Sequence, residues 1–284
     1  MHSRLKGIVL AVLFGALSAA PAYAHHEALF GPQASAALSP SIFLSTQVFD
    51  IERGHGENKT HATTTVLSAG VQPMKRVPVS MSFVVPFSVE QHVGEPTRRR
   101  MEDSLVSARY KWDTEGITKA WGLDESYIMG VGGIELPSGS MDHPAWHGAP
   151  GSIAAVMMSI EKRPVAGIMY SYIHRAPSWQ GNHTNNNVFA GAGIAVTPID
   201  DEDHGKLLSF QLGTSYEETS REGENGAPVN LSGGTGVFMH PSLVFDIGTH
   251  IQIFNLVSLP VTQDWRDPND RQRFRFGSGA IFKL

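Results

Sequence analysis

The stretch Val79-Ser80-Met81-Ser82-Phe83-Val84-Val85-Pro86-Phe87-Ser88-Val89 alternates apolar side chains with small polar ones along much of its length. Val79, Met81, Phe83, Val85, Phe87 and Val89 share one parity, and Ser80, Ser82 and Ser88 share the other. A period of two puts these sets on opposite faces of a strand. The ribbon expected over 77–90 is long. Soluble strands cluster near about five or six residues, whereas a tilted membrane strand needs about nine to eleven.

The pattern recurs on both sides of this stretch. Leu208, Phe210, Leu212 and Tyr216 oppose Ser209, Gln211, Gly213 and Ser215. Val106, Ala108, Tyr110 and Trp112 oppose Ser107, Arg109, Lys111 and Asp113. Near the end, Phe274, Phe276, Ala280, Phe282 and Leu284 oppose Arg273, Arg275, Gly277, Gly279 and Lys283. Twelve strands are expected, at 41–52, 62–72, 77–90, 103–113, 126–137, 152–162, 164–174, 187–197, 206–218, 235–246, 249–259 and 272–284. Residues 126–137 and 249–259 fit neither face cleanly, and Pro86, His240 and Pro241 interrupt others.

A soluble antiparallel sheet alternates in the same way, so periodicity alone does not choose the solvent. The connections do. Odd-numbered ones, at 53–61, 91–102, 138–151, 175–186, 219–234 and 260–271, are polar and rich in Gly, Pro, Asn, Asp or Arg. Even-numbered ones at 73–76, 163 and 247–248 are short, with 114–125 and 198–205 as exceptions. Short turns at one end and long loops at the other describe an outer-membrane barrel, and an even strand count brings the termini together. The expected fold is therefore an all-β, antiparallel transmembrane barrel over 41–284.

The N-terminal segment agrees. Arg4 and Lys6 precede an apolar core from Ile8 to Leu17, and Ala22-Tyr23-Ala24 offers small residues for a peptidase. This reads as a signal peptide, 1–24, cleaved after Ala24, because the core is too short to span a bilayer. Residues 25–40 read as a periplasmic N-terminal arm. The expected location is the outer membrane of a Gram-negative bacterium, with membrane lipids as partners. The last residues, Phe282-Lys283-Leu284, sit within an amphipathic strand of the kind read by the outer-membrane assembly machinery.

Composition excludes several classes. The formal charge of -5 gives no support for nucleic-acid binding, which is marked by basic excess. The absence of Cys removes disulfides, thiolate metal sites and cysteine nucleophiles. Neither a phosphate loop, a dinucleotide fingerprint nor a G-x-S-x-G elbow occurs, so no cofactor and no enzymatic activity are expected. A lipid hydrolase remains a minor alternative.

The turn Gly133-Ile134-Glu135-Leu136-Pro137-Ser138-Gly139, an early Phe49-Asp50, Pro241-Ser242-Leu243 and Val257-Ser258-Leu259-Pro260-Val261 carry a resemblance. On these marks the chain resembles the outer-membrane transporter family associated with the meta-cleavage pathway of phenol degradation. That resemblance implies a barrel with a transport role.

Charged side chains are costly against lipid and belong in a watery interior. Arg109, Lys111, Asp113, Glu135, Glu161, Arg273, Arg275 and Lys283 are thus the expected lumen lining. They would either select a small polar or ionic solute or fill the interior with ion pairs. Tyr110, Trp112, Tyr127, Tyr170, Tyr172 and Tyr216 are expected in interfacial belts. The 13 histidines suggest a second reading, a barrel that captures divalent metal. His25 and His26 would open the mature chain, and His143 and His147 flank Pro144-Ala145-Trp146 in a long loop. Imidazole suits copper and nickel. A solvated terminus and loop explain the same residues.

Overall fold

The computed structural model describes residues 43–54, 60–71, 78–101, 103–136, 150–175, 178–179, 182–183, 186–201, 206–224, 227–228 and 232–283. The expected signal peptide and arm lie outside these residues. Twelve long strands form the wall: β1 Phe43–Arg53, β2 Thr60–Val71, β3 Val79–His92, β4 Ser104–Asp113, β5 Glu125–Leu136, β6 Gly151–Lys162, β7 Val165–Arg175, β8 Asn187–Asp201, β9 Lys206–Thr219, β10 Gly234–Ile247, β11 Ile251–Trp265 and β12 Gln272–Lys283. Each overlaps one expected segment.

Every strand pairs antiparallel with its sequence neighbour, and β1 pairs with β12 from Phe43↔Lys283 to Arg53↔Gln272, which closes the barrel. Closure removes the unpaired edges that an open sheet would expose. The decisive ribbon behaves as its alternation requires. Met81 and Phe83 are 48% and 44% exposed, while Ser80, Ser82 and Ser88 are buried. The same outward set includes Val106, Trp112, Ile173, Ile194, Phe210, Leu212, Phe274 and Phe276. An apolar belt of this extent on the outside of a sheet is unsuited to water and suited to lipid. Among the described residues, no helix is long and apolar enough to cross a membrane.

The two ambiguous segments are wall strands. In β5 the inward side chains are Tyr127, Met129 and Val131, all buried, so apolar residues occupy both faces and the alternation cancels. In β11 the buried inward set mixes Gln252 and Ser258 with Phe254. Pro241 is accommodated where the β10–β11 ladder is interrupted, between Met239↔Leu259 and Ser242↔Leu256.

The connections hold more structure than their composition implies. Helix α1, Glu115–Trp121, occupies the 114–125 connection. Glu115 and Lys119 pair one turn apart at 3.1 Å, and Gly122 ends the helix in the left-handed conformation at φ 61°. Asp124 then accepts the backbone N–H of Arg163 at 2.8 Å, tying this connection to the β6–β7 turn. At the other end, Arg98–Met101 adds a short strand to β3. Two-residue strands at 178–179, 182–183, 223–224 and 227–228 form a small sheet, in which His183↔Gly223 joins two long connections.

Candidate functional site

The inward face of the wall is layered. Nearest the long connections lies an ionic layer. Glu217 of β9 and Arg275 of β12 form a two-point pair, with Nη1–Oε1 at 2.8 Å and Nη2–Oε2 at 2.5 Å. Their side chains are 5% and 7% exposed. Arg275 also donates from Nε to the Gln272 side-chain oxygen, and its guanidinium lies 4.2 Å over the Phe238 ring. Such planar, doubly bonded arrangements are the strongest ion pairs available to side chains. A second pair joins Glu135 of β5 to His174 Nε2 of β7 at 2.7 Å. The Asn187 amide nitrogen faces His174 Nδ1 at 3.5 Å, which suits a hydrogen on Nε2 donated to the carboxylate.

Below this lies an apolar layer. Phe49, Val66, Val84, Leu105, Ile153 and Tyr172, from β1 to β4, β6 and β7, form one buried cluster, with Phe189 and Leu256 against it. Their side chains come from six strands and meet inside, so they fill that half of the barrel. The opposite side is less completely filled. A cavity of about 120 Å3 lies against β7 to β11. Tyr170, Tyr172, Phe189 and Leu256 give it an apolar surface, and Gln211, Ser215, Glu217, His240 and Ser242 add polar groups. Gly193 and Gly213 face each other across the β8–β9 ladder, and their lack of side chains leaves this space. A Cβ on Gly193 would stand 3.1 Å from the Gly213 Cα. His240 bridges two serines in the cavity wall, Ser215 Oγ at Nε2 and Ser258 Oγ at Nδ1, each at 2.7 Å.

Toward the short turns the charges become exposed. Lys111 Nζ lies 2.7 Å from Glu125 and 3.3 Å from Asp113, and 4.5 Å over the Tyr127 ring. Glu161 pairs with Arg163 at 3.0 Å, and Arg163 reaches Asp200 at 3.1 Å. Arg109 stands between this mouth and the apolar layer, 5% exposed, and its Nε and Nη1 have no hydrogen-bond partner in the protein.

The expected lining residues therefore occupy different places. Arg109, Glu135 and Arg275 are buried on the inward face, and Lys111, Asp113 and Glu161 gather near the short turns. Arg273 sits where the β1–β12 register shifts, is 49% exposed and pairs with Glu52 at 2.7 Å. That shift explains its separation from Arg275, because one extra residue reverses the side-chain alternation. The side chains of Lys283 and of His25, His26, His143 and His147 lie outside the described residues. Among the described residues, no three His, Asp or Glu side chains gather as a metal site.

The aromatic expectation divides. Tyr110, Trp112 and Tyr216 are 37%, 49% and 41% exposed on the outer face. Tyr127 and Tyr172 are buried inside and Tyr170 lines the cavity, which corrects their assignment to a belt. Glu217, His174 and His240 were not in the expected lining. Glu217 shares the inward parity of Ser209, Gln211 and Ser215, so its face was readable; its partner was not.

No family model matches the chain, and no curated protein matches it. Among solved structures, an outer membrane channel from Pseudomonas putida F1 superposes with a TM-score of 0.61 at 12% identity, over 86% of this chain and 96% of that one. The translocator domain of the autotransporter NalP from Neisseria meningitidis gives 0.48 at 13% identity, over 91% and 96%. The KdgM porin gives 0.45 at 10% identity, over 84% and 99%. The first likeness is one of fold: a closed antiparallel barrel of the outer-membrane type.

Proposed function

We propose that this chain is an outer-membrane channel that lets a small polar or ionic solute diffuse passively through its interior. The reading includes export behind residues 1–24 and short turns on the periplasmic side. The observation that carries it is the cavity of about 120 Å3 inside a closed wall, with Glu217 of the Glu217–Arg275 pair in its lining. An interior serving only stability would have no use for that space, because packed cores leave few voids larger than water. A twelve-stranded barrel falls between the filled interior of about eight strands and the aqueous pore of about sixteen. Here the apolar layer fills one side, and the cavity on the other side supports a path for solute.

On this reading a solute meets the Glu135–His174 and Glu217–Arg275 pairs first, then the cavity wall with Gln211, Ser215 and His240. It leaves past Lys111, Asp113, Glu125 and Glu161. Charges that are paired within the wall set a field along the path. Planar-bilayer recording of the refolded chain tests the proposal. The expected result is a small, ohmic unitary conductance from a heat-modifiable band recovered in outer-membrane fractions. A barrel that folds yet never conducts, and never speeds solute entry into liposomes, overturns it.

A further inference from the structure

We propose that Arg109, with Ser80 beside it, forms a binding site for a small oxyanion on the inner wall between the apolar layer and the periplasmic mouth. The proposal rests on the channel reading for how the ligand arrives, but not for whether it binds.

The case begins with a contrast inside one barrel. Three other charged side chains on the inward face have close partners: Arg275 has Glu217, His174 has Glu135, and Lys111 has Glu125 and Asp113. Arg109, at 5% exposure, is as buried as Arg275 and His174, and its Nε and Nη1 have no hydrogen-bond partner in the protein. A buried cation without partners is costly, by several kcal/mol in general, because lost hydration is not replaced. Ser80 is its register partner on β3, is 5% exposed, and its Oγ also lacks a partner. Directly opposed side chains on one sheet face stand about 5 Å apart at Cβ, close enough for both to grip one small group.

The wall around them is built from small side chains. Ser82 and Ser107 are adjacent in the same ladder and bond each other at 2.8 Å. Gly70 is the next partner of Ser82 on β2. One long cation thus stands among serines and glycine, on a face where the layer above is Phe, Leu and Val. The neighbouring side chains are small, the Ser80 hydroxyl supplies a donor, and a guanidinium meets a carboxylate or phosphate through a fork of two N–H groups. Chloride could balance the charge but could not satisfy that fork.

Binding to the folded state raises its stability, which gives a readout independent of transport. The full chain, refolded in detergent, is heated in sodium acetate, sodium phosphate or sodium chloride at equal ionic strength, and loss of the compact electrophoretic band is followed. The expected result is a higher midpoint in acetate or phosphate than in chloride. Acetate acting alone would assign the site to carboxylates, and phosphate alone to phosphate groups. Arg109→Gln should remove the difference and Arg109→Lys should keep part of it. Both variants should fold, since the guanidinium holds no protein group whose loss would matter. Equal midpoints in all three salts, or a shift that survives Arg109→Gln, overturns the proposal. Bilayer recording of the same preparations separates the two ideas: salt-specific stabilisation without conductance ends the channel reading and spares the site, and conductance without stabilisation does the reverse.

Discussion

Breaking the Glu217–Arg275 pair should cost far more than its place in a lumen suggests. Both side chains are more than nine-tenths buried and bonded at two points, and the guanidinium also covers the Phe238 ring. Replacing Arg275 with Met leaves a buried carboxylate whose nearest remaining donor is Ser215 Oγ at 3.3 Å. Removing one partner of a buried pair costs about 3–5 kcal/mol, and the cation–π contact adds roughly 1 kcal/mol. About 4 kcal/mol is therefore expected for Arg275→Met, and about 3 kcal/mol for Glu217→Gln, which strands the cation but keeps its shape. The double variant leaves no orphaned charge, so its loss should be near 2 kcal/mol and the coupling should reach several kcal/mol. Urea unfolding of the barrel in lipid vesicles, followed by tryptophan fluorescence, measures all three. Single-variant losses below about 1 kcal/mol, additive and weakened by salt, are the signature of a hydrated surface pair. That result would mean the interior is wet at this level, and the layered account of the lumen would fail.

Other outcomes follow from the same layers. Phe49→Ala removes a ring that is 2% exposed from the apolar layer; a loss of about 3–5 kcal/mol is expected together with a larger unitary conductance, and unchanged conductance would show that this layer does not narrow the path. Gly236→Ala would bring a methyl group to 2.6 Å from the Phe238 ring, costing about 1–3 kcal/mol by urea unfolding, and adding Phe238→Leu should recover part of it. The Asp124 carboxyl is held below the usual carboxylate range by the Arg163 backbone N–H, with Lys162 and Arg163 contributing charge. Its contribution to stability is present above that usual range and fades as pH falls through the lowered value, so Asp124→Asn should flatten this part of the acid limb of the unfolding curve. An acid limb identical in the two proteins would place the pH dependence elsewhere.

The barrel was legible because closure demands one outward face on every strand. In 79–89 that face is apolar and its opposite carries Ser80, Ser82 and Ser88, so a period of two names strand, length and orientation together. The reading weakened where the interior is apolar as well. Tyr127, Met129 and Val131 look like lipid-facing residues until a neighbouring strand shows them meeting Met157 inside. The loop helix Glu115–Trp121 was hidden by its brevity, since seven residues carry little periodicity. Single-residue irregularities were hidden too: at Arg273 the register shift alone separates a rim cation from the buried Arg275, two positions on.

The inward parity of a residue is a local property, set by its own strand. Which inward residues meet is a property of the whole cylinder, set by how far the ladder has climbed when it closes. Glu217 and Arg275 are 58 residues apart and belong to strands that do not pair with each other, yet they form a two-point ion pair in the lumen. Sequence alternation could place Arg109 and Arg275 on the same inner wall, and it could not say that one would find a carboxylate and the other none. That difference decides the chemistry. The paired cation braces the wall near the long connections, and the unpaired one leaves two buried guanidinium nitrogens without a hydrogen-bond partner beside an unengaged serine hydroxyl.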